Sequence, residues 1–534
     1  MDYKVLITTS GLGQRLGELT KYTNKSLVRV GKKPALSYII ESYPKNIPIV
    51  MTVGVFGEQV KDFVGLAYPD RTFEFVDDQY DPELSSLGYS MLKARENLQC
   101  PFIYHACDTI VRENIPAPDN DWIGGGEGGD VSQYASFCVA GNRISSFADK
   151  GADDFDYIHV GLVGVKDHER FWKTLAELHK NDVHNKALGD FPVFVKMLAG
   201  GAAFNFVHFP SWLDIGNMGA LKKARERIGD HFDNLDKVDE SIFIFDDFVI
   251  KFFYNEKHVA DRVARAKSLD GLAPEIIAHN KNFYKYKFLL GDTYSHVATP
   301  ANFGGFLNWA KENLWREVNE VSDKEFKDIC HDFYYTKTCE RVEKFLSANS
   351  ITDKEDIING EIVPAVKDIL KDIDFDWLTD AKQHKFHGDM VLENIVHSAG
   401  SFSLLDWRQN FGGLLEAGDM YYDLAKANHN LVVNHDVVNK NLFNIDFSEN
   451  GEIKCDIMRR ENMVACQKIL DEFVRKEGFD ADKVSVLTSL IWLNMSPLHH
   501  HPFNMFLYYF GKLNLWRAVK SLKRKTIKNT SSVV

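Results

Sequence analysis

The 534-residue sequence has no run of 18 apolar residues, so no membrane-spanning helix is expected. No basic leader precedes the first strand-like stretch, so no secretion signal is expected either. The seven cysteines form no Cys-x-x-Cys pair and no metal-ligand spacing. That excludes a zinc ribbon or a dithiol redox motif and leaves free thiols of a reducing compartment. A basic excess is also missing: the formal charge of −13 gives a nucleic-acid backbone no reason to bind. There is no internal repeat and no long Pro-, Gly- or Ser-rich linker. These absences describe a cytoplasmic protein without a nucleic-acid partner or stable membrane insertion; a homo-oligomer stays open.

What is present is apolar surface for more than one core, with 45% hydrophobic residues in a chain too long for a single ordinary domain. Strand-like runs over 4–9, 47–53, 73–76 and 102–106 alternate with helical patterns over 34–43, 58–66 and 85–98. This alternation means βαβ units and a mainly parallel sheet, with ligands bound beyond the carboxyl ends of its strands. Strands follow over 134–140, 157–165 and 204–209, and helices over 168–180 and 218–228. The polar stretch 229–239 is the expected junction, dividing the chain into domains 1–235 and 236–534. Beyond it a hairpin over 241–245 and 248–253 and a strand over 283–289 precede a mostly helical region, interrupted by a strand-like pair at 395–396 and 402–405. The tail 523–534 reads as frayed and solvated.

In the first half, Gly11-Leu12-Gly13-Gln14-Arg15-Leu16 directly follows a strand. Glycines there let backbone N–H groups approach phosphate oxygens, and Arg15 adds a charged fork. Lys25 follows, then Gly31-Lys32-Lys33-Pro34, then Asp108 at a strand end, then Trp212-Leu213-Asp214-Ile215-Gly216. Singly, Asp108 could be a helix cap, Asp214 a turn residue and Lys25 a surface lysine. In this order, over 1–230, they resemble the sugar-phosphate nucleotidyltransferase family. The resemblance implies a Rossmann-like fold in which Gly11, Gly13, Arg15 and Lys25 hold a nucleoside triphosphate and Asp108 and Asp214 hold Mg²⁺. It also implies that an acceptor phosphate attacks the α-phosphorus and expels pyrophosphate. Gln14, Asn24 and Thr8-Thr9-Ser10 depart from the family pattern, the last of them where the base should sit.

In the second half, His387-Gly388-Asp389-Met390-Val391-Leu392-Glu393-Asn394 sets an Asp and an Asn five residues apart, and Leu404-Leu405-Asp406 ends a strand soon after. Such a set can divide phosphoryl transfer: Asp389 orients and deprotonates the attacking hydroxyl, while Asn394 and Asp406 hold Mg²⁺. With Gly418-Asp419-Met420-Tyr421-Tyr422-Asp423-Leu424-Ala425, the set resembles the aminoglycoside phosphotransferase and choline kinase family. The resemblance implies an α+β, protein-kinase-like bilobal domain. His387 and Asp423 would brace the catalytic loop, Lys251 would grip the ATP phosphates, and Asp261 would pair with Lys251 where the family has the longer Glu. His499-His500-His501 reads as a polar loop rather than a metal site.

Together the two resemblances imply a bifunctional enzyme. ATP phosphorylates a small hydroxyl metabolite, and the phosphorylated product is coupled to a nucleotide, with CTP favoured. The NDP-linked product would be a precursor for surface polysaccharide or lipid decoration. Two alternatives stand beside this: nucleotidyl transfer alone with a binding kinase-like domain, and a nucleotide-binding scaffold.

Overall fold

The computed structural model describes residues 2–128, 131–148, 150–229 and 237–531. Residues 230–236 of the expected junction lie outside that set. The chain divides into two compact units, Met1–Val259 with Ile277–Phe288, and Ala260–Ile276 with Leu289–Val534.

The first unit is built on a nine-stranded sheet of β1 (Lys4–Thr8), β2 (Ile49–Val53), β3 (Phe73–Asp77), β4 (Phe102–Ala106), β5 (Trp122–Gly126), β6 (Ser136–Ala140), β7 (Arg143–Ala148), β8 (Tyr157–Val165) and β9 (Asn205–His208). Its order is β3-β2-β1-β4-β8-β5-β9-β7-β6. The pleat sends Val5 and Ile7 to one core and Leu6 to the other, so the central strands read as continuous apolar runs.

The sheet is mixed rather than mainly parallel. It is parallel through β3-β2-β1-β4 and at β5–β9, but β8 runs antiparallel to both β4 and β5. Parallel pairing needs a long crossover, and among the described residues no α-helix separates β4 from β8. Strand β5 is hard to see in the sequence because three of its five residues are glycines. Rings lie where side chains would stand: a Cβ on Gly125 would come within 2.7 Å of both Phe137 and Phe206.

The hairpin Glu240–Ile244 and Phe248–Phe253 forms as expected and pairs on with Phe283–Lys287. These strands belong to the first unit. Phe243, Ile250, Phe252 and Phe283 share a core with Val5, Ile7 and Phe63, and the Phe63 ring meets Phe243 edge-on at 5.3 Å.

The second unit is mainly helical. Its core gathers the helices Lys337–Asn349, Met420–Val432, Ala481–Met495 and Phe503–Ser531. A short hairpin, Ile395–Ser398 and Ser401–Leu404, carries the loop expected to be catalytic on one side and Asp406 on the other. Glu361–Val363, Asp356–Ile358, Glu452–Ile457 and Phe443–Phe447 form a four-stranded sheet in that order. The tail expected to fray continues the last helix to Ser531; Lys523 and Lys525 pair with Asp372 and Asp482, charges that lie far away in sequence.

Candidate active sites

In the first unit, the loop after β1 is held by buried polar groups. Asn24 donates to the carbonyls of Thr9 (2.8 Å) and Val55 (2.7 Å), and its Oδ1 accepts from Ser26 N and Oγ. It thereby fixes the backbone of its neighbour Lys25. Gly13 has φ +67°, and a Cβ there would sit 2.9 Å from the Lys25 Cβ. Gly13 therefore packs the loop onto Lys25. Gly11, Arg15, Lys25, Asp108 and Asp214 line a cavity of about 600 Å³, together with Ser10, Ser86 and Ser90.

Asp108 follows β4, and the short strands Thr109–Ile110 and Leu213–Asp214 pair with Asp214 opposite Thr109. This pairing brings together two carboxylates more than a hundred residues apart. A Cβ on Gly216 would lie 3.1 Å from Asp214 Oδ1 and 3.2 Å from Asp108 Oδ2, with Arg15 Nη2 at 3.4 Å. The missing side chain thus leaves a small space faced by both carboxylates. Lys25 Nζ donates to Asp108 Oδ2 at 3.1 Å. Burial alone would raise Asp108, but Lys25 and Arg15 hold it below the usual carboxylate range. Asp214 is raised by burial, with the Asp108 charge adding to it against hydrogen bonds from Tyr134 and Gly216 N.

Sequence reasoning missed several cavity residues. Tyr134 caps Asp214, and His159 Nε2 meets Asp190 Oδ2 at 2.7 Å with both side chains buried. The β8 register shifts between His159 and Val163, a bulge that no spacing in the sequence announces.

In the second unit, Gly388 has φ +84°, and a Cβ there would strike the Arg408 Cβ at 2.5 Å. Asp423 is fully buried and accepts from His387 N (2.7 Å), Gly388 N (2.6 Å) and Trp315 Nε1 (3.1 Å). His387 Nδ1 accepts from Asp389 N, so Nε2 carries the proton donated to the Leu405 carbonyl at 2.8 Å. Asn394 Nδ2 donates to the Asp389 carbonyl at 3.0 Å and more weakly to its carboxylate at 3.3 Å. Asp406, with φ +54°, pairs with Arg262 at 2.7 Å.

Two further residues were not foreseen here. Lys426 pairs with Asp389 Oδ1 at 2.7 Å. Burial would raise Asp389, but Lys426 and then His387 hold it well below the carboxylate range. Arg265 is buried with its guanidinium on the carbonyls of Phe386, His387, Arg408 and Leu415, and burial lowers it to about 9. Arg265 sits on a helix that gives no motif signal, while Lys426 directly follows the Gly418–Ala425 motif, whose resemblance gave it no role.

Lys251 lies buried on Phe248–Phe253, an inner strand of the four-stranded sheet that its hairpin joins. Asp261 belongs to the second unit, where it accepts from Asn410 at 2.9 Å. Among the described residues no three His, Cys, Asp or Glu side chains cluster as a metal site, His499–His501 included. No helix of the described residues is long and apolar enough to cross a membrane.

No family model and no curated protein matches this chain. Solved structures do, over the N-terminal part. The CTP:phosphocholine cytidylyltransferase of Streptococcus pneumoniae is similar at 18% identity, over 43% of this chain and 100% of its own, with a TM-score of 0.37. The inositol-1-phosphate CTP transferase of T. maritima is similar at 18% identity over 43% and 96%, with a TM-score of 0.35. A UDP-glucose pyrophosphorylase of Acinetobacter baumannii is similar at 16% identity over 43% and 94%, with a TM-score of 0.36.

Proposed function

We propose that the chain is a bifunctional transferase with two sites. Residues 236–534 transfer the γ-phosphoryl group of ATP to a hydroxyl of a small metabolite. Residues 1–235 then join the new phosphate to a nucleoside monophosphate from a triphosphate, CTP favoured, releasing pyrophosphate. The observation that carries this reading is the convergence of Asp108, Asp214, Lys25 and Arg15 on one cavity large enough for a nucleotide.

Two anionic reactants meet only where cations cancel their repulsion. Arg15 and Lys25 supply fixed charge, and backbone N–H groups of the glycine loop can face the phosphates. The paired carboxylates fit Mg²⁺, which takes one or two protein carboxylates and leaves its other positions to water and phosphate oxygens. Asp108 and Asp214 would hold it here, and Asn394 and Asp406 in the second unit; bound there, it would neutralise phosphate charge. The acceptor's phosphate oxygen forms a bond to the α-phosphorus as the α–β bridging bond breaks, and pyrophosphate leaves.

In the second site Asp389 aligns the acceptor hydroxyl, Asn394 fixes the Asp389 backbone, and Asp423 holds the loop that carries both. The hydroxyl oxygen bonds to the γ-phosphorus, ADP leaves, and the hydroxyl proton passes toward Asp389. Surface polysaccharide or lipid synthesis would consume an NDP-linked product of this kind. One observation favours a second reading, nucleotidyl transfer alone with a binding kinase-like half: Asp389 and Asp406 are each already engaged by a cation, Lys426 and Arg262.

Incubation with Mg²⁺, ATP, CTP and a pool of unphosphorylated alcohols and sugars, read by mass spectrometry, separates the two. An NDP-linked product from an unphosphorylated compound supports both activities. Products only from pre-phosphorylated acceptors would leave nucleotidyl transfer alone.

A further inference from the structure

Beside the Asp389 loop lies a group of cations that the reading above does not use. Residues Asp332–Thr336 form a π-helical segment, a local widening often found at functional sites, which runs into the helix Lys337–Asn349. It presents the Phe333 ring, and two cations share that ring: Lys337 Nζ stands 3.8 Å from its centroid and Arg408 Cζ 4.9 Å. Arg341 lies one turn on from Lys337, on the same helix face. Arg408 is fixed against the catalytic loop, its N–H donating to the His387 carbonyl at 2.9 Å and its Cβ pressing on Gly388. Lys426 adjoins the group from the helix Met420–Val432.

Of these four, Lys426 alone has a carboxylate partner among the described residues, Asp389. Arg341 donates to the Asn494 carbonyl at 3.1 Å and Arg408 to the Asn410 carbonyl at 3.0 Å. Burial, and after it the charges of Arg408, Arg341 and Lys426, hold Lys337 well below the ordinary lysine range. Like charges gathered in a partly buried place cost folding energy unless an anion joins them.

We infer that the acceptor of the ATP-dependent step carries an anionic group, a carboxylate or a phosphate, bound by Lys337, Arg341 and Arg408 while its hydroxyl meets Asp389. The inference rests on the phosphotransfer reading and names its substrate class: hydroxy acids or phosphorylated polyols. An amino alcohol such as choline would bring a further positive charge into the group. Phe333 serves as the floor on which two of the cations are held by their attraction to its π-face.

The test uses the full chain with Mg²⁺-ATP and four hydroxyl compounds. Glycerate and glycerol 3-phosphate carry an anion; glycerol and choline do not. ADP release is expected with one or both of the first pair and not with the second. Lys337→Met should raise KM for the anionic acceptor roughly tenfold or more, the worth of one charge-assisted hydrogen bond, and leave KM for ATP unchanged. It should not lower the unfolding temperature, because a repelling charge is removed; a merely structural Lys337 would do the opposite.

Choline or glycerol used as readily as glycerate would overturn the inference, and so would a Lys337→Met effect confined to KM for ATP. If no compound yields ADP, the phosphotransfer reading falls, and inorganic phosphate then tests the anion site directly. Millimolar phosphate should raise the unfolding temperature of the natural chain more than that of Lys337→Met; equal shifts would refute the site.

Discussion

Replacing Asp423 by Asn tests how the His387–Asn394 loop is held. The carboxylate serves three donors: Oδ2 takes His387 N and Trp315 Nε1, and Oδ1 takes Gly388 N. An amide keeps one acceptor oxygen. Turned toward the pair, it still serves His387 and Trp315 but sets an NH₂ group against the Gly388 N–H. One charge-assisted bond is lost and two become neutral. Against this, the buried charge disappears, and burial already raises this carboxyl above the usual range. The net cost is about 2–4 kcal/mol. Spent locally, it should speed amide exchange at His387 and Gly388 ~30- to ~1000-fold, since each 1.4 kcal/mol is a factor of ten. Hydrogen-exchange mass spectrometry of a peptide spanning 386–394 reads this directly. ADP formation should fall in parallel, as misplaced catalytic groups cost ~10²-fold. Unchanged exchange in that peptide, or an equal rise throughout the second unit, would refute the bracing argument.

Other outcomes follow from the same geometry. With a pre-phosphorylated acceptor supplied for the pyrophosphate assay, Asp108→Asn should abolish pyrophosphate release and spare ATP-dependent phosphorylation, while Asp389→Asn should do the reverse, by ~10²–10⁴-fold; one substitution that ended both activities under those conditions in a folded protein would sink the two-site model. Gly216→Ala places a methyl between the Asp108 and Asp214 oxygens, so the Mg²⁺ concentration for half-maximal pyrophosphate release should rise while the unfolding temperature holds. Asp419 is raised to about 6, by burial and then by the nearby Asp423 charge, against bonds from Tyr334 and Tyr421 N. An acid raised on folding keeps its proton longer in the folded state, so stability should fall as pH climbs from about 4 to about 6, by about 3 kcal/mol at most. Asp419→Asn should flatten that slope in urea midpoints measured across the window.

The parts legible in the sequence were those with a local period or a fixed spacing. Apolar runs placed β1, β2 and β4, and the five-residue step from Asp389 to Asn394 marked a tight loop, in which Asn394 donates to the Asp389 carbonyl. What stayed hidden depends on pairing. The β5 glycines look like a loop until the rings of Phe137, Phe206 and Phe209 cover them. Asp214 meets Asp108 through a two-residue strand that no propensity would mark. Lys426 and Arg265 have no assigned role by sequence, and only packing shows that Lys426 meets Asp389 and that Arg265 meets the carbonyls of Phe386 and His387.

The strand Phe283–Lys287 has a consequence for how the chain can be cut. It pairs with Phe248–Phe253 in the first unit, yet Ala260–Ile276 before it and Leu289–Val534 after it both build the second. A single proteolytic nick just before residue 260 therefore yields two bands on a denaturing gel and one peak on a native sizing column. The larger fragment keeps a strand sewn into the smaller one, as a split reporter is held by its complementing β-strand.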